Sequence, residues 1–109
     1  MAKAWVIHLG PWVWQSTVGM APGTEHTWSW GIPWEWRWHE AVLDATAHPH
    51  WGEIEQIPGR LAVTRIESER FSNGGIGVHI RVRNTGTQTL HTYRLYVSVI
   101  RDASLQPPS

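Results

Sequence analysis

Cysteine is absent from this chain of 109 residues, which excludes a disulfide framework and any thiolate metal site. Long apolar runs are missing too. No segment has the length of a helical membrane span, and the start Met1-Ala2-Lys3-Ala4-Trp5 lacks the apolar stretch of a secretory signal. The expectation is a soluble protein outside the general export route. Net charge is lacking as well, because nine basic side chains balance nine acidic ones with histidine neutral. A neutral chain is poorly suited to general nucleic-acid binding, whose affinity comes mostly from neutralising phosphates. There is also no Gly-x-Ser-x-Gly elbow, phosphate loop or dinucleotide fingerprint. Glu35 with Glu40, or Glu53 with Glu55, could pair for acid and base work on a glycosidic bond, but carboxylates at such spacings are ordinarily solvated charge. The sequence therefore reads as a non-enzyme that needs no cofactor.

What the chain has in excess is tryptophan. All nine indoles, Trp5, Trp12, Trp14, Trp28, Trp30, Trp34, Trp36, Trp38 and Trp51, fall within the first 51 residues, and five of them lie between positions 28 and 38. Trp28 and Trp30 share a parity, Gly31-Ile32-Pro33 supplies a turn, and Trp34, Trp36 and Trp38 share a parity again. A period of two belongs to a strand with one apolar face, so the segment reads as a hairpin that gathers its indoles onto one surface. Glu35, Arg37 and His39 occupy the opposite face of its second arm. Charge is segregated as well as balanced: residues 1–58 hold six acidic and two basic side chains, residues 59–109 three acidic and seven basic.

Strand signals continue along the chain. Ala4 to Leu9 and Trp12 to Val18 read as two strands separated by Gly10-Pro11, since proline cannot donate to a ladder. Glu25 to Trp30 and Trp34 to Leu43 form the hairpin, and Ala47 to Gly59 carries enough prolines and glycines to read as a long loop. Leu61 to Glu69 is a strand whose apolar positions change parity between Val63 and Ile66, the mark of a bulge or a change of facing sheet. Asn73-Gly74-Gly75 is a turn, and Ile76, Val78, Ile80 and Val82 then alternate with Gly77, His79, Arg81 and Arg83. After Asn84-Thr85-Gly86-Thr87 comes a last long strand, with Tyr93, Leu95, Val97 and Val99 on one parity. Residues 102–109 read as a tail. About seven strands in one domain spanning 1–109 is the pattern of an all-β, antiparallel β-sandwich.

The run Ile80-Arg81-Val82-Arg83-Asn84-Thr85-Gly86-Thr87, followed by Tyr93 and the alternation to Val99, resembles the last hairpin of bacterial immunoglobulin-like domains of the fibronectin and cell-adhesion-related type. The resemblance covers about a third of the chain. It implies an immunoglobulin-like sandwich and an adhesion or assembly role, and it implies no catalytic residue.

Two uses of the tryptophans compete with simple core packing, in which each indole buries on the order of 200 Å². The second half already supplies enough Val, Ile and Leu for a small core, so some indoles are expected outside it, where they would form a binding patch. Trp28, Trp30, Trp34, Trp36 and Trp38, with Glu35, Arg37 and His39 beside them, suit carbohydrate recognition of the lectin type, because sugar C–H faces stack on indole while polar neighbours take the hydroxyls. Alternatively the same indoles form a subunit interface in a homo-oligomer or a larger assembly such as a virion or appendage. Single-stranded nucleic acid ranks behind both, since the tryptophan half is the acidic half. A weaker candidate is a metal site. His48-Pro49-His50 places two imidazoles at i and i+2 with Glu53 or Glu55 as a third donor, and the spacing to Glu55 resembles the first metal motif of cupin barrels without its flanking glycines.

Overall fold

A computed structural model describes residues 4–32, 42–49 and 58–102. Every regular element among them is a strand: β1 (Ala4–Met20), β2 (Glu25–Ile32), β3 (Val42–Pro49), β4 (Leu61–Arg70), β5 (Ile76–Asn84) and β6 (Leu90–Asp102). They form two antiparallel three-stranded sheets, ordered β1-β6-β3 and β2-β5-β4. The all-β class expected from the alternation is thus observed, with six strands among the described residues where about seven were expected.

Part of that difference lies at the N-terminus. The two strands expected on either side of Gly10-Pro11 are one, because β6 is long enough to pair with both halves: Leu9 stands opposite Val97 and Trp12 opposite Leu95. Gly10 and Pro11 form a bulge between those pairs, with φ +84° at Gly10 and a cis peptide bond to Pro11. The long loop also begins later than expected. Ala47, His48 and Pro49 complete β3, and Ala47 is buried opposite Leu95. Pro49 is tolerated because it is the last residue of an outer strand. The parity change in β4 is a bulge, with a register shift between Val63 and Arg65 that leaves Ile66 opposite Ile80.

One core joins the two sheets. Val78, Ile80 and Val82 from the middle strand of one sheet and Tyr93, Leu95 and Val97 from the middle strand of the other are all buried. The middle strands carry the clean alternation because they have neighbours on both edges and a covered inner face. Trp12, Trp14, Trp28 and Trp30 pack against this core from the outer strands β1 and β2.

The turns use the chemistry their residues suggest. Gly74 has φ +87°, its N–H donates to the Phe71 carbonyl at 3.0 Å, and Asn73 Oδ1 accepts from the Gly75 N–H at 2.9 Å. Asn84, almost wholly buried, is satisfied on both sides of its amide. Its Nδ2 donates to the Met20 and Gln88 carbonyls at 2.9 and 2.8 Å, and its Oδ1 accepts from the Gly86 N–H at 3.0 Å. That single side chain ties the end of β1 to the β5–β6 connection.

Candidate functional site

The alternation of β2 turns His26, Trp28 and Trp30 inward and Glu25, Thr27 and Ser29 outward. Across from them β1 presents Trp12 and Trp14. The rings of Trp12 and Trp30 lie 5.4 Å apart, those of Trp14 and His26 4.7 Å apart, and Trp14 stacks on Tyr93 at 5.2 Å. These rings close one side of the molecule as an aromatic seam, each of the four indoles keeping part of its surface accessible.

Tyr93 holds the seam together. Trp28 Nε1–H donates to Tyr93 Oη at 2.7 Å, and His26 Nδ1 lies 2.9 Å from the same oxygen. An indole N–H only donates, so Tyr93 Oη accepts from Trp28, and the His26 tautomer protonated on Nε2 is the one that lets Nδ1 accept the phenol proton. Burial lowers the His26 pKa below its ordinary 6.5 and favours the neutral ring that accepts this bond. Burial raises the Tyr93 pKa, opposed by the Trp28 hydrogen bond, so the phenol keeps its proton. Phenol, indole and imidazole thus satisfy one another at the centre of the seam, the signature of a structural network.

The outer faces of the two sheets differ in kind. On the β2-β5-β4 sheet, Arg65 bridges Glu67 at 3.0 Å, Arg83 approaches Glu25 at 3.5 Å, and His79 Nε2 meets Glu69 Oε1 at 2.9 Å. Ser29 Oγ also lies 2.8 Å from His79 Nδ1, which lines up a serine, a histidine and a carboxylate. The triad logic would need a substrate cleft beside the hydroxyl. Ser29 lines neither of two clefts on the described surface. The first, about 260 Å³, lies against Pro58, Arg60 and Thr85 to Thr87. The second, about 520 Å³, lies against Gln15, Ser16, Thr17 and His91. The three side chains sit on β2, β5 and β4 as a cross-strand polar ladder on an outer face.

On the β1-β6-β3 sheet, by contrast, the outer face has no ion pair among the described residues and mixes exposed valines with the polar His8, Asp44, Thr46 and His48. Val6, Val13 and Val42 are 52%, 56% and 62% exposed, and Tyr96 at its middle is 39% exposed. Register places Val6, Ile100 and Val42 side by side across the three strands. His8 Nδ1 bonds Ser98 Oγ at 2.7 Å, and the His48 ring meets Tyr96 edge-on at 5.4 Å. Among the described residues Arg94 Nε is buried with no hydrogen-bond partner, and neither Arg94 nor Asp44 has an ion pair there.

Of the residues expected to bind a ligand, Trp28 and Trp30 are therefore turned into the interior. Trp34, Glu35, Trp36, Arg37, Trp38 and His39 lie outside the described residues. So do His50 and Glu55 of the metal candidate, whose remaining member His48 is exposed. Among the described residues no group of three His, Asp or Glu side chains could hold a metal ion. No helix there is long and apolar enough to cross a membrane.

The chain matches no family model, no curated sequence and no solved structure. The features missed by reasoning along the chain are Tyr93 as a hydrogen-bonding hub and the outer face around Tyr96. A signal existed for the first, because the inward parity of Tyr93 demands a partner for its hydroxyl. That the partners are His26 and Trp28, 67 and 65 residues away, depends on how the sheets stack.

Proposed function

We propose that this protein is a non-enzymatic assembly subunit with an immunoglobulin-like β-sandwich, and that it buries the outer face of the β1-β6-β3 sheet against protein. The observation that carries this is the contrast between the two outer faces. One pairs acid with base in three places, whereas the other exposes Val6, Val13, Val42 and Tyr96 and leaves Asp44 and Arg94 without an ion pair among the described residues. Apolar side chains gathered on one sheet face mark an association surface, and desolvating them drives the contact. Supporting the sandwich class are the two antiparallel sheets around one core and the pairing of the first strand with the last. Sedimentation velocity over a concentration series tests the assembly role. An oligomer that Val42→Asp weakens is expected, and a strictly monomeric species at high concentration would overturn it.

Carbohydrate recognition is the second reading. It is favoured by the partial exposure of Trp12, Trp14, Trp28 and Trp30 along the seam, which leaves indole edges for a sugar ring to meet. Titration with a glycan panel should then quench or shift tryptophan fluorescence at constant mass. A flat response across the panel counts against it.

A further inference from the structure

On the opposite side of the molecule from the face assigned to assembly, the geometry points to a binding site for one neutral pyranose ring, on the outer face of the β2-β5-β4 sheet over Gly31. Two glycines stand opposite each other there, Gly31 on β2 and Gly77 on β5, at outward positions of strands whose inward residues are Trp28, Trp30, Val78 and Ile80. Glycine inside a strand weakens it and calls for a reason. Gly77 has one in its neighbours. A Cβ there would lie 2.8 Å from Phe71 Cζ and 3.3 Å from Glu69 Oε1, so the ring and the carboxylate occupy the space a side chain would take. Gly31 has no such reason. Its φ lies outside the left-handed region, it is exposed, and a Cβ on it would meet nothing within 4 Å. A bare floor of this kind lets a ligand approach the backbone closely.

The groups around the floor fit a sugar. Phe71, 41% exposed, bonds through its N–H to the Gly75 carbonyl and leans its ring over Gly77, closing one end. At the other end, one same-face step of about 6.8 Å along β2, stands Ser29 opposite His79. Glu69 Oε1 lies 2.9 Å from His79 Nε2, and Ser29 Oγ lies 2.8 Å from His79 Nδ1. A carboxylate only accepts, so Nε2 carries the proton at that contact, and in the neutral ring Nδ1 is the atom that accepts the Ser29 hydroxyl proton. The line therefore offers acceptors to a ligand: the lone pairs of Ser29 Oγ and the second oxygen of Glu69, whose side chain is 55% exposed. A pyranose meets both demands, its hydroxyls donating to those acceptors while its C–H groups lie against Phe71. Glu69 repels an acidic sugar, which selects a neutral one. Because β2 is an outer strand, the site is a shallow platform open at the sheet edge rather than a cleft. A single ring bound on it should hold with an affinity on the order of millimolar.

The test is two-dimensional amide NMR of the full chain, titrated with the methyl glycosides of glucose, galactose and mannose to about 100 mM each, well above the expected dissociation constant. At least one glycoside should shift the amides of Ser29, Gly31, Phe71, Gly77 and His79, and lysine methyl ester serves as a cationic control. Three variants follow, each checked for native circular dichroism. Gly31→Val suits a strand backbone and meets no neighbour, so it should fold as wild type does while filling the floor and abolishing the shifts. Phe71→Ala should weaken binding about tenfold. Glu69→Gln keeps the shape, removes the charged acceptor and should weaken binding severalfold. A spectrum unchanged by all three glycosides overturns the site, as does binding that Gly31→Val leaves intact. Shifts confined to Trp12, Trp14, Trp28 and Trp30 overturn it in favour of the seam, and a response to lysine methyl ester alone overturns it in favour of a cationic ligand. The assembly role stands or falls separately, by sedimentation.

Discussion

Tyr93 is where a single atom does most to join the two sheets. Its hydroxyl receives the Trp28 N–H and shares a hydrogen bond with His26 Nδ1, so Tyr93→Phe keeps the shape and removes both contacts at the core boundary. The expected cost is about 1–3 kcal/mol, read as a lowered urea midpoint at unchanged m-value. His26 makes the same site sensitive to pH. Its folded pKa lies below the unfolded 6.5, so between the two values the unfolded chain binds the extra proton. The stability this supplies is present above about pH 6.5 and is lost as pH falls through the folded pKa. Urea midpoints at pH 7.5 and 5.5 should therefore fall more steeply for wild type than for His26→Gln, which cannot titrate. Parallel slopes for the two proteins would rule this out.

Among the elements, β1 departs furthest from what its residues suggest when read in order. Gly10-Pro11 looks like a strand end because proline removes a ladder donor, yet the strand resumes at Trp12 since β6 still offers it a partner. A second irregularity separates Gln15 from Met20, and there Gly19 adopts φ +91°. A Cβ at Gly19 would lie 2.6 Å from Thr89 Cγ2, so Gly19→Ala meets both a forbidden backbone region and a clash. A loss of more than about 1 kcal/mol is expected, measured by thermal or urea unfolding. By contrast β5 is legible without its neighbours. A middle strand with one covered face shows a strict period of two, and Ile76, Val78, Ile80 and Val82 are buried as the alternation requires. The β4 bulge was legible too, because an inserted residue is what shifts the parity of a strand whose apolar side chains must keep facing one core.

For the molecule as a whole, chain order and spatial order diverge. β1 pairs with β6, so the first strand finds its edge only after nearly the whole chain is present, and β2 pairs with β5 across the intervening β3 and β4. Such non-local pairing slows folding. Refolding by stopped-flow tryptophan fluorescence should accordingly fall in the millisecond-to-second range, and microsecond refolding would contradict the topology. The same arrangement sorts the side chains by face. Glu25, Arg65, Glu67, Glu69 and Arg83 collect on one outer surface, while Val6, Val13, Val42 and Tyr96, drawn from three distant segments, collect on the other.

The sequence by itself determined the strand class, the turn at Asn73-Gly74, the inward parity of β5 and β6 and the shared face of Trp28 and Trp30, because each of these depends on neighbours two to four residues apart. The tertiary structure alone decided that those two indoles turn toward the core, where Trp28 meets a tyrosine from the last strand. It also decided that valines and a tyrosine of no local distinction share one exposed face. Both outcomes depend on strand order and sheet stacking, which place residues dozens of positions apart within contact distance and which no short-range periodicity encodes.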